Sequence, residues 1–220
     1  MRRIAKYFGL NESDLFKPHN LFSKTYLDKG TAKDGSPLDA LSQAFNDQAK
    51  GLRRYLGFYH AHFRTPSWEG KIMRSLLWLY EKDGFVVTRS LERVISSEDS
   101  IRQRIRFDGL AAFRSSRIYV LESEQSDSAG IVETIMFPAH RQQVNYLRGM
   151  SLGVAWRPRL TPYSSRTIWK KISVRVSLRE AIEDCGVFAQ NSPRLDPTVR
   201  GFLGGGVPAD VESGPMQDFF

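Results

Sequence analysis

The chain has 220 residues, 41% hydrophobic and 25% charged, with one cysteine, Cys185. That length allows one large or two small domains with a core of useful size, and the composition is that of a globular protein rather than a fibrous or disordered one. An internal disulfide and a cysteine-based zinc cluster are excluded, and no apolar run reaches the ~18 residues of a membrane helix. The start MRRIAKYFGL lacks the apolar h-region and cleavage site of a signal peptide, so a cytoplasmic protein without a membrane partner is expected. Net charge is +8; residues 187–220 hold Arg194 and Arg200 against Asp196, Asp210, Glu212 and Asp218, which leaves +10 on the first 186. This favours an anionic partner such as nucleic acid over a mild basicity without a binding role.

At the N-terminus, RRIAKYFGLNESDLF places Ile4, Ala5 and Phe8 at helical spacing, with Gly9 suited to end the helix in a left-handed conformation. Asn11 or Ser13 can cap a second short helix, with Glu12 and Asp14 near its positive end. In Ile4, Ala5, Phe8, Gly9, Leu10, Asp14, Leu15 and Phe16 the segment resembles the last part of a Cro/CI-type (XRE-type) helix-turn-helix domain. The resemblance implies a bacterial transcriptional regulator, N-terminally truncated, because only Met1 precedes a segment that should follow a scaffold helix and a recognition helix. In that fold the recognition helix reads base edges. DNA is therefore expected as a weak or indirect partner, contacted without sequence preference by Arg2, Arg3 and Lys6.

The turn-rich stretch from Lys17 to Pro37 leads into a predicted helix, capped by Ser36 with Pro37 at its first position and striped by Leu38, Leu41, Phe45 and Leu52. From Gly57 the period changes to alternation. Eight strands are predicted: Leu56–Arg64, Lys71–Glu81, Phe85–Ile95, Ile101–Phe113, Arg117–Ser123, Ile131–Phe137, Asn145–Trp156 and Ser165–Val176. Asp83-Gly84 and the RSSR of Arg114–Arg117 signal tight hairpins. Sequential strands on short links make an antiparallel meander, which closes to hide its edges. SLREAIEDCG reads as a terminal helix with Ser177 as cap, Glu180 as capping-box partner and Gly186 as stop. The Pro- and Gly-rich remainder reads as disordered.

The expected fold class is α+β: N-terminal helices, an antiparallel β-meander closing into a barrel or half-barrel, and a C-terminal helix. The expected boundaries are 1–27 for the helical remnant, 28–55 for a linker and linker helix, 56–186 for the β-meander and 187–220 for a flexible tail. The β region is similar to the C-terminal domain that follows the helix-turn-helix in one group of these regulators. The shared features are Gly57-Phe58-Tyr59, Arg74-Ser75-Leu76, Asp83-Gly84 with Thr88-Arg89, Arg117 to Glu122, and Phe137-Pro138. This similarity implies a domain that senses a small effector or mediates homodimerisation. The alternative is a stand-alone β-barrel that binds a small molecule.

Arg102, Arg104 and Arg106 share one strand face and could contact an anion or ligand; the reading preferred is a solvated outer face whose stems cover apolar neighbours. His60 and His62 share a face and could bind metal with His140 as a third ligand, but with no cysteine or acid alongside they read as an exposed or hydrogen-bonded pair on a polar strand face. The aromatics on strands read as core. No catalytic or cofactor motif is present, GFLGGGVP lacks the Lys-Ser/Thr of a phosphate loop, and Cys185 near a helix C-terminus is a poor nucleophile. No enzyme activity, cofactor or metal is expected.

Overall fold

The computed structural model describes residues 13, 16, 42–46, 48–96, 101–126, 130–138, 144–155, 160–173 and 175–204. The chain divides into two compact units, Met1–Ala44 and Phe45–Phe220. Of the first, Ser13, Phe16 and residues 42–44 are described, the last three helical. The segment that resembles a helix-turn-helix, with Arg2, Arg3 and Lys6, lies outside the described residues apart from Ser13 and Phe16.

In the second unit the alternating segments form β1 (Gly57–Phe63), β2 (Lys71–Lys82), β3 (Phe85–Ser96), β4 (Ile101–Arg114), β5 (Arg117–Glu124), β6 (Ile131–Phe137), β7 (Tyr146–Ala155) and β8 (Thr161–Lys171). Each pairs antiparallel with the next, and β1 pairs with both β2 and β8. The meander is thus a closed eight-stranded barrel, which leaves no continuous free edge. Two-residue turns join β2 to β3 at Asp83 (φ 52°) and Gly84 (φ 81°), and β4 to β5 at Ser115 (φ 46°) and Ser116 (φ 58°). Both use the left-handed conformations that match hairpin twist.

The pleat divides the side chains cleanly. Facing inward at one end are Leu79, Val86, Ala111, Ile118, Met136 and Leu147, all buried. A short helix, α1 (Ala49–Leu52), and a 3-10 turn (Arg53–Tyr55) close this end with Leu52 and Tyr55. Gln48 ties the plug to the rim, since its Oε1 accepts from Phe113 N–H at 2.9 Å. Burying each of the Leu, Val, Ile and Met side chains at this end contributes about 1.5–3 kcal/mol, so this end is the barrel's anchor.

Three elements follow β8: α2 (Leu178–Glu183), β9 (Gly186–Ala189) and α3 (Pro197–Gly204). The capping box of α2 forms as the sequence indicates, with Ser177 and Glu180 bonded reciprocally. The tail does not match its expectation. Residues 187–204, assigned to a flexible tail by their Pro and Gly content, are ordered against the barrel wall. β9 pairs with β2 at Lys71–Arg74, beyond Leu76 where the β2–β3 pairing ends. It fills the gap opened as the strands diverge. Leu195, Val199 and Leu203 then pack on Ile72 and Ile168, so an apolar stripe outweighs the breakers. Residues 205–220 lie outside the described set.

Two further differences concern the strands and the helices. The last strand starts at Thr161 rather than Ser165 and ends at Lys171 rather than Val176. Pro162 is tolerated because β8 pairs with β7 there while its pairing to β1 begins only at Thr167. The described residues are mostly β, and their helices are short and lie on both sides of the barrel in sequence. The α+β description with leading helices therefore holds only in part. The helix predicted from Ser36 is described only at residues 42–45 and in α1. No described helix is long and apolar enough to cross a membrane.

Candidate functional site

Away from α1 the barrel interior changes character. Along β3 the inward positions are Thr88, Ser90 and Glu92; Glu122 enters from β5, Thr134 from β6, Ser151 from β7, and Ser165 and Thr167 from β8. A cavity of about 50 Å³ occupies this half. Glu92, Glu122, Ser75, Ser90, Thr134, Ser151 and Thr167 line it, with Phe63, Phe107, Tyr163 and Trp169 as aromatic walls. That volume exceeds the ~10–15 Å³ needed for one water and is well below the 150 Å³ cavity that takes benzene. It suits a few heavy atoms.

Gly109 makes the acidic corner possible. It lies inward on β4, opposite Thr88 on β3 and Glu122 on β5. A Cβ there would meet Leu121 O at 2.2 Å and Glu122 Cγ at 2.8 Å. Without a side chain in between, the Glu122 carboxyl faces the β3 hydroxyls across β4.

Both carboxyls are strongly perturbed. Burial pushes Glu92 up to about 7, and the negative charges of Glu122 and Glu124 add to the shift. Glu92 keeps some accessible surface because it lines the cavity. Burial likewise raises Glu122 to about 7; the Ser90 and Thr88 hydroxyls pull the other way, and Asp108 adds to the rise. Even so, Glu122 Oε1 and Thr88 Oγ1 are buried without a hydrogen-bond partner. Such groups cost about 1–3 kcal/mol each when left unmet. Burial also raises the Tyr163 phenol, and Glu92 adds to that. Elsewhere the lining is satisfied: the hydroxyls of Thr134 and Ser151 bond at 2.9 Å, and Thr167 donates to His62 O at 3.3 Å.

The arginines of β4 are elsewhere. Its inward residues are Gln103, Ile105 and Phe107, and the other face carries Arg104 and Arg106, both exposed. Arg106 pairs with Asp108, which also accepts from Arg89 at 2.8 Å. Arg104 borders an open outer groove with Arg93, Arg179 and Glu183. The side chain of Arg102 is outside the described residues. Neither Arg104 nor Arg106 lines the cavity, whose charged lining is acidic.

His60 and His62 point outward beneath α2, β9 and α3. His60 Nε2 donates to Ala181 O at 2.9 Å, which fixes its tautomer because a carbonyl can only accept. His62 is buried, its Nδ1 has no partner, and its pKa is lowered to about 3 by burial first and then by Arg74 and His60. His140 lies outside the described residues. Among the described residues no group of three His, Cys, Asp or Glu side chains is placed to hold a metal. Cys185 is buried, bonds to Ala181 O at 3.3 Å, and is pushed up to about 11 by burial, so it stays a thiol at neutral pH.

Sequence reasoning missed Glu92, Glu122 and Gly109. A signal was present: T-x-S-x-E at Thr88 to Glu92 alternates polar side chains in phase, opposite Arg89 and Leu91. No protein-family model, curated protein or solved structure matches the chain.

Proposed function

We propose that the barrel is a binding domain for a small molecule held in the polar half of its interior. One observation carries this: a cavity inside a closed barrel, lined by two buried carboxyls and a ring of hydroxyls, with Glu122 Oε1 unpartnered. A domain selected only for stability gains by filling such a space with apolar side chains, as the other end of this barrel does. Unmet polar groups around a cavity are the mark of a recognition site. In the regulator that the N-terminal resemblance implies, the barrel is the effector sensor, and occupancy biases DNA binding through its different affinity for two states. That step rests on Ile4–Phe16 and on the net charge of +8.

The test is a ligand-observed NMR screen of small polar fragments against the full chain and against Ser151→Leu, which fills the cavity. Hits that bind the wild type and fail to bind the folded variant support the reading. Hits that bind both equally, or no hits at all, contradict it.

A further inference from the structure

Two buried carboxyls share the cavity, and among the described residues no basic side chain lines it with them. The other ionisable groups acting on the pair are Glu124 on β5 and Asp108 on β4, while Glu92 in turn raises the Tyr163 phenol on β8 and, on the segment after α2, the Cys185 thiol. The two carboxylates among them deepen the negative potential. Asp108 is already neutralised on the outer face by Arg89 and Arg106. In a chain of net charge +8, the interior is thus an acidic exception. Glu122 Oε1 has an open acceptor position, and the neighbouring Thr88 hydroxyl is also unmet.

Resting on the small-molecule reading, we infer that the ligand of this cavity is a protonated primary amine, its ammonium held between Glu92 and Glu122. An ammonium has three donors and no acceptor, which suits a site rich in carboxyl and hydroxyl oxygens. The rings of Phe63, Phe107, Tyr163 and Trp169 provide faces that attract a cation and pack its carbon stem. A volume of about 50 Å³ admits the ammonium and the first carbons, not a bulky quaternary group. A divalent metal fits less well, since two carboxyls without a third His, Cys, Asp or Glu do not complete a coordination shell among the described residues.

Binding is then linked to protons. Both carboxyls ordinarily hold protons up to about pH 7 and must give them up to the solvent to pair with the ammonium. Affinity should therefore rise about a hundredfold between pH 6 and pH 8, as the product of the ionised fractions of two groups titrating near 7 does.

The test uses the full chain and hydrochloride salts of methylamine, ethylamine and putrescine, with propionamide and sodium acetate as neutral and anionic counterparts, at matched ionic strength. The expected result is a rise in melting temperature with at least one amine near pH 8, and a smaller rise near pH 6 that corresponds to an affinity about a hundredfold weaker. It should vanish in Glu122→Gln and in Glu92→Gln and survive in Glu133→Gln, an exposed acid on the outer face of β6. Binding of propionamide or acetate but of no amine, lost in Ser151→Leu, would overturn the amine assignment and leave the small-molecule reading intact. Absence of binding by every compound, together with an empty fragment screen, would overturn both.

Discussion

Ser115 and Ser116 show how a single residue type can be out of step with its conformation. Both hold positive φ, 46° and 58°, in the β4–β5 turn, where Asn-Gly is the preferred pair. A serine pays a steric cost there that glycine avoids. Ser116→Gly should therefore raise stability by about 0.5–1 kcal/mol in urea denaturation, and Ser115→Asn by somewhat less. A loss of stability in both would mean that the turn is not of this type. Gly109 is the converse case. Ala at this position has to displace Leu121 O or the Glu122 side chain, so Gly109→Ala should destabilise by more than 1 kcal/mol and disturb the carboxyl pair. Neither effect was legible in the sequence: RSSR announced a turn but not its handedness, and Asp108-Gly109 resembles a turn signal while lying mid-strand.

Among the elements, β9 and α3 depart furthest from expectation. Eight strands were legible because alternation and short polar links are local signals, and strand ends follow from Asp83-Gly84 and Ser115-Ser116. The C-terminal segment was not, because its order comes from tertiary contact. Val199 and Leu203 sit one helical turn apart, and Ile72 and Ile168 on the barrel wall, with Phe188 of β9, give them something to bury against. Lys170 adds an ion pair to Asp196 at 2.8 Å, while Thr198 N–H bonds the same carboxylate. Leu203→Ala should cost about 2–4 kcal/mol in equilibrium unfolding. A chain ending at Gly186 should lose cooperativity or melt at markedly lower temperature than one ending at Gly204, because Ile72, Ile168 and His62 would then face water. Equal melting of the two chains would show that the segment is an ornament.

For the molecule as a whole, two sets of buried groups give opposite pH slopes. His62, held near 3 against an ordinary 6.5, contributes stability that is present above about pH 6.5 and is lost as pH falls below it. Glu92 and Glu122, raised to about 7 from 4.5, contribute stability that is complete below about pH 4.5 and is lost as pH rises through 7. Between 4.5 and 6.5 the slopes oppose each other; from 6.5 to 8 the carboxyls act alone. Melting temperature should thus decline from pH 6.5 to 8, and Glu122→Gln should flatten the decline and gain about 1–3 kcal/mol at pH 8. His62→Leu should flatten the acid limb instead. The closed barrel was within reach of the sequence because a long meander has few other ways to hide its edges. The acidic interior was not, because an alternating strand does not say which of its two faces turns inward when both carry polar residues, as at Thr88–Arg93.

The measurement closest to the central claim is the titration of the two interior carboxyls, followed by 13C NMR of glutamate-labelled protein with Glu92→Gln and Glu122→Gln for assignment. The account predicts two side chains titrating near pH 7 in the free protein and moving to lower pH when ethylamine is added. Titration of both near their ordinary 4.5, unchanged by any added amine or fragment, would contradict a buried, unpaired acid site inside the barrel.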